Sequence, residues 1–125
     1  MEQHTILIAD DDEMFADMLS EILHEEGANV LVAHNGADGL AMALKEHPSF
    51  VMFDMMMPVQ TGAQALAELR KDPWGATVPA ILLTNMSSAE VPMEELGGTE
   101  KTEILLKTDW TLEKLVEHIQ KKLGV

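Results

Sequence analysis

Two patterns in the 125-residue sequence predict an α/β fold, a five-stranded parallel sheet doubly wound by helices on both faces. The first is a set of short apolar runs: Ile6–Ala9, Val30–Ala33, Phe50–Phe53, Ala80–Leu83 and Ile104–Leu106. Each is too short for a helix and nearly continuous in apolar character, as strands buried on both faces read. The second is the helical spacing of apolar residues between the runs. Together they give βα repeated five times, which calls for a parallel sheet with right-handed crossovers.

Taken in order, Ile6–Ala9 leads through four acids into a helix over Met14–Glu26. Phe15, Met18, Leu19, Ile22 and Leu23 share one face of it, and Gly27 stops it. After Val30–Ala33, the helix Gly36–Glu46 carries Leu40, Ala43 and Leu44 and ends before Pro48. After Phe50–Phe53, Ala63–Lys71 carries Leu66 and Leu69 and ends before Pro73. The segment Ser87–Glu103 contains Pro92 and the Gly97–Gly98 pair, so a fourth helix there is held to about two turns or less. Ile104–Leu106 is followed by the clearest helix, Thr111–Leu123, with Leu112, Leu115, Val116, Ile119 and Leu123 on one stripe and Thr111 as N-cap. No linker, repeat or low-complexity tract interrupts this order. The expectation is one domain over residues 1–125 with no output domain attached.

Composition narrows the function. There is no Cys, which excludes disulfides, thiolate metal sites and a Cys nucleophile. The five His do not pair at a helical ligand spacing and read as surface residues, so a zinc site built from them is not expected. Aromatics are scarce at 4%, leaving aliphatic side chains and ten Met to fill the interior. A formal net charge of −14, with no run of Lys or Arg, argues against nucleic acid and anionic lipid as partners. The start, MEQHT, lacks a signal peptide's basic and apolar segments, and no apolar run approaches the roughly 18 residues of a membrane span. The cytoplasm follows by elimination.

In an open parallel sheet, ligands bind beyond the carboxyl ends of the strands. The residues delivered there are Asp10–Glu13 after the first strand, Asp54 and Met55–Pro58 after the third, Thr84 and Asn85 at the fourth, and Lys107 and Thr108 at the fifth. Carboxylates, a hydroxyl and an ammonium converging on one rim suit a hard cation and a phosphoryl group. Asp12 and Glu13 also fit a plainer role, as acids favoured at a helix N-terminus.

At this point the chain resembles the response-regulator receiver family, of the chemotaxis-regulator type, over essentially its whole length. The acidic pair Asp10–Asp11, Asp54, Thr84 and Lys107 stand in the family's order and spacing. Asp54, Pro58 and Gly62 match its D-x3-P-x3-G signature. The resemblance implies a flavodoxin-like sheet of strand order 2-1-3-4-5. It implies that Asp54 accepts a phosphoryl group in a magnesium-dependent reaction. Asp11 would hold the ion directly and Asp10 through water, with Asp54 and the backbone carbonyl of Met56 as further ligands. Lys107 would pair with Asp54 and then with the phosphoryl group, and Thr84 would turn its hydroxyl toward it. The chain would be a signalling phosphoacceptor with weak self-catalysed transfer and dephosphorylation, not an enzyme in the ordinary sense. Its partners would be a sensor histidine kinase and an unidentified protein target, and it would be a monomer or weak dimer.

Three positions depart from the family pattern. Ile104 replaces the usual Tyr or Phe, Thr108 replaces a Pro, and Asn85 replaces a small residue. Ile104 is stiff at χ1 and has no polar tip, so the familiar aromatic read-out lacks its side chain and movement of Ser87–Glu103 is the expected substitute. In the family the residues two after the acceptor and two after the Thr influence the incoming water. Here both are methionine, Met56 and Met86, which would leave hydrolysis without a polar orienting group. Rival readings fare less well. A flavin binder needs a phosphate cradle where four acids stand, and an aspartate phosphatase wants a second Asp where Met56 stands. A receiver-like protein that never takes phosphate would not need the intact set.

Overall fold

The computed structural model describes residues 1–85 and 100–125. Its strands are β1 (Thr5–Ala9), β2 (Asn29–Ala33), β3 (Phe50–Asp54), β4 (Ala80–Thr84) and β5 (Thr102–Leu106). All pair in parallel in the order β2-β1-β3-β4-β5, as the doubly wound reading requires. Among the described residues the helices are α1 (Glu13–Glu25), α2 (Gly36–Glu46), α3 (Gly62–Arg70) and α4 (Leu112–Leu123), with a 3-10 turn at Lys107–Asp109. Most of the short helix expected within Ser87–Glu103, and Met86, lie outside the described residues.

Alternation along the strands sends side chains to two cores. Leu7, Ala9, Val51, Phe53, Ala80 and Leu82 face α2 and α3, where Ala43, Ala63, Leu66 and Leu69 close the layer. Ile6, Ile8, Phe50, Met52, Ile81 and Leu83 face α1 and α4, against Leu19, Leu23, Leu115, Val116 and Ile119. The strands are not equally covered. β3 and β4 are buried throughout, whereas β2 and β5 are only partly so. The expectation of five doubly buried strands is corrected at these two, because they form the sheet's edges.

Helix ends follow local chemistry. Asp12 and Glu13 stand at the helix N-terminus, where acids favour the dipole as expected; beyond that, the Asp12 carboxylate caps the helix, accepting from Phe15 N–H at 3.1 Å. Thr61 and Gln64 form a reciprocal capping box on α3, and Thr111 accepts from Lys114 N–H at 3.1 Å on α4. Gly27, with φ +96°, follows α1 and takes a backbone turn closed to most side chains.

Two polar ties hold the rest. The Arg70 guanidinium, its pKa lowered by burial, donates to Gly75 C=O at 2.8 Å, Val78 C=O at 2.6 Å and Thr102 Oγ1 at 2.6 Å, joining α3 to the start of β5. Glu103 on β5 meets His118 at 2.6 Å and Lys122 at 3.3 Å on α4. Each tryptophan lies against a histidine. Trp74 stacks on His47 at 4.5 Å, at the edge where strands begin, and Trp110 tilts against His118 at 4.9 Å, three residues past Lys107. Among the described residues no helix is long and apolar enough to cross a membrane.

Candidate functional site

The carboxyl ends of β1, β3, β4 and β5 deliver residues to a common rim, the last of the strand in β3 and β4 and the next one in β1 and β5. Asp10 follows β1 directly, and its N–H continues the ladder to Ala33 C=O at 3.0 Å. Its side chain is thereby held under the rim at 1% exposure. One carboxylate oxygen of Asp10 accepts from Asp12 N–H at 2.9 Å, so the turn into α1 orients it. Asp11 is exposed on the same turn. Asp54 is the last residue of β3, in register with Leu83 of β4, and is 7% exposed. The loop after it is pinned by Met55 N–H to Leu83 C=O at 2.7 Å and by Gly62 N–H to Met55 C=O at 3.0 Å.

That pinning explains the Asp–Pro–Gly spacing. A Cβ on Gly62 would fall 2.3 Å from Asp54 O, so α3 can start this close to the acceptor only with glycine there. Between them, Gln60 N–H donates to Pro58 C=O at 2.8 Å, closing a three-residue turn around Val59, whose φ is +73°. A β-branched residue in that conformation is strained by about 1–3 kcal/mol, and the sequence signals it only through Pro58.

Asp10, Asp11 and Asp54 each offer a carboxylate oxygen, all within 4.8 Å of one another. Burial pushes the Asp54 pKa up, and the charges of Asp10 and Asp11 add to this while Lys107 opposes it; the balance stands at about 6. The Lys107 ammonium bridges the cluster, 2.9 Å from Asp10 and 3.5 Å from Asp54. Sequence reasoning paired it with Asp54 first. The structure puts it nearer Asp10, the more deeply buried carboxylate. The same ammonium lies 4.5 Å from the centre of the Phe15 ring. Burial alone would lower the Lys107 pKa, but the Asp10 hydrogen bond and the Asp54, Asp10 and Asp12 charges outweigh it and raise the pKa above its usual value.

Thr84 ends β4, buried at 1% exposure and in register with Leu106, the residue before Lys107. It therefore neighbours both Asp54 and Lys107 across the sheet edge. Met56 is 60% exposed beside the cluster. Ile104 packs partly buried against the α2/α3 core, where an aromatic would stand in the family pattern. Sequence reasoning did not find His34, whose Nδ1 lies 3.3 Å from Asp10 O and whose Nε2 lies 3.8 Å from Glu13. A lone His after an edge strand carries no motif.

Crowded oxygen donors whose mutual repulsion one ammonium only partly relieves suit a hard divalent cation such as magnesium. Comparison with known proteins agrees with this geometry. A family model described as response regulator receiver domain matches residues 6–120. Protein PilH of Pseudomonas aeruginosa is 40% identical over 79 residues, covering 63% of this chain and 65% of PilH. The transcriptional regulatory protein CpxR of Klebsiella pneumoniae is 41% identical over 83 residues, covering 66% of this chain and 34% of CpxR. The chain thus spans just under two thirds of one relative and about a third of the other. Among solved structures, chemotaxis protein CheY4 of Vibrio cholerae superposes with a TM-score of 0.81 at 28% identity, covering 94% of this chain and 97% of that one. A CheY-like receiver domain protein from Methanospirillum hungatei gives 0.81 at 28% identity, covering 97% and 94%. With a family match over nearly its whole length, on a sheet and rim that match the family's expected order, the chain belongs to the response regulator receiver domains.

Proposed function

We propose that Asp54 is the phosphoacceptor of this receiver domain. Receiver domains take their phosphoryl group from histidine kinases in two-component signalling. The observation that carries the assignment is the placement of Asp54: recessed at a strand end, within 4.8 Å of two further carboxylates and 3.5 Å from Lys107. In the reaction an Asp54 oxygen attacks the phosphorus of a phosphohistidine. The P–N bond breaks, the imidazole nitrogen leaves with the bond pair and takes up a proton, and a mixed anhydride remains on Asp54. Lys107 lies where it can pair with a phosphoryl oxygen, and Thr84, at the neighbouring strand end, supplies a hydroxyl for another. Asp10, Asp11, Asp54 and the carbonyl of Met56 would hold magnesium, which neutralises charge that acceptor and donor otherwise set against each other. The partners on this reading are a sensor histidine kinase and a target protein that reads the changed surface. The chain acts in the cytoplasm as a monomer or weak dimer, with its excess of acids disfavouring direct contact with nucleic acid.

Acetyl phosphate tests the assignment. With magnesium it should leave one phosphoryl group, stable in acid and labile in alkali, on Asp54. Asp54→Asn keeps the shape, removes the nucleophile and should give no adduct, and chelation should stop the parent's reaction. An unchanged mass shift in the variant would reject the assignment.

A further inference from the structure

The run Met55–Met56–Met57 follows Asp54, and its three side chains meet different surroundings. Met55 and Met57 are buried in the α2/α3 core at 6% and 8% exposure, while Met56 is 60% exposed. The backbone bonds of Met55 to Leu83 and Gly62, and of Gln60 to Pro58, hold this division in place. A thioether exposed to a two-electron oxidant becomes a polar, chiral sulfoxide. At Met55 or Met57 the new oxygen would be an uncompensated polar group in an apolar cluster, which the fold opposes. At Met56 it meets water. Two residues of chain span at most about 7 Å, so the Met56 backbone stays at the mouth of the acidic cluster.

We propose that Met56 is a modification site for peroxide-class oxidants, and that its sulfoxide shortens the life of the phosphoryl group on Asp54; the second clause rests on the phosphoacceptor reading above. In the modification a lone pair of Met56 Sδ attacks a peroxide oxygen and the O–O bond breaks. An S=O bond forms and, after proton transfer, water leaves. Sulfur loses two electrons and the peroxide gains them. A sulfoxide oxygen is a strong hydrogen-bond acceptor where the thioether is a weak one. It can hold a water beside the acyl phosphate, orienting it without acting as a base. The gain expected from orientation alone is about three- to tenfold in the rate of phosphoryl loss.

The 125-residue protein is treated with hydrogen peroxide and mapped by peptide mass spectrometry over time. Oxygen uptake at Met56 should precede uptake at Met52, Met55 and Met57. After labelling with acetyl phosphate and removal of the donor, phosphoryl loss should be about three- to tenfold faster in oxidised than in untreated parent. The same acceleration should appear in Met14→Leu/Met18→Leu, which removes the exposed methionines of α1, and should be absent from Met56→Leu. A methionine sulfoxide reductase should restore the slow decay. Uptake at Met55 or Met57 as early as at Met56 overturns the site. Acceleration that persists in Met56→Leu, or no acceleration in the parent, overturns the effect on lifetime. A protein that never labels, even before peroxide, rejects the phosphoacceptor reading and the lifetime effect with it, while the mapping still decides the modification site.

Discussion

Asp54 would titrate near 3.8 as an ordinary aspartate, and in the fold it stands at about 6. Its folded pKa is raised, so folding holds the proton more tightly than the unfolded chain does. The group's relative contribution is best below 3.8 and is lost as pH rises through about 6. Asp54→Asn should therefore stabilise the magnesium-free protein at pH 7, by about 1–2 kcal/mol once solvent screening is allowed for. The gain should vanish at pH values below the ordinary aspartate pKa. Urea denaturation in chelator at both pH values measures this; an equal gain at each would mean that charge crowding is not its source. Asp10, Asp11, Asp54 and Lys107, which gather here, were legible in the sequence because parallel strands bring the residues at their carboxyl ends to a known rim; His34 was not. Nor was the pairing within the cluster. That Lys107 lies nearer Asp10 than Asp54 depends on relative burial, which spacing does not encode. Arg70 carries no motif: among the described residues it donates to two carbonyls and a hydroxyl, partners that no spacing in the sequence marks.

Helix α1 carries Glu13, Asp17, Glu21 and Glu25 four residues apart, all exposed. Like charges at this spacing face each other along one ridge and cost about 0.2–0.5 kcal/mol per pair. Glu21→Lys turns two repulsions into attractions and should stabilise the protein by about 0.8–2 kcal/mol at low salt. Chemical denaturation in dilute buffer and in concentrated salt checks it, and a gain indifferent to salt would show that the ridge is not the cause. Helix ends were the most legible feature at this scale, since Gly27, Pro48 and Thr111 act through their own backbone and neighbours. Strand ends were read one or two residues short. Thr5, Asn29, Asp54, Thr84, Thr102 and Glu103 are polar, yet each continues the sheet, because a ladder asks for backbone groups and not for apolar side chains. Met18 and Leu44, placed on buried faces by periodicity, are 47% and 37% exposed. They sit at the margins of their stripes, where a period cannot say how far the sheet reaches.

Across the molecule, the strand order sets which apolar runs become edges, and no single run reveals that. The common direction of the strands sends the two tryptophans to opposite ends of the sheet, Trp74 before β4 and Trp110 after β5, in a chain without tyrosine. Trp110 is tied to the rim, its backbone N–H 3.4 Å from Lys107 C=O and its ring against His118, itself bonded to Glu103 of β5. Trp74 stacks on His47 at the far edge. The protein therefore carries its own two-position optical gauge. Ultraviolet emission should change when magnesium and beryllofluoride engage the rim, and the change should survive Trp74→Phe and disappear in Trp110→Phe. The opposite assignment would mean that the disturbance crosses the sheet to its far end. With the expected one, Trp110 serves as the signal channel and Trp74 as the internal reference, and occupancy of the rim becomes readable in real time without an added dye.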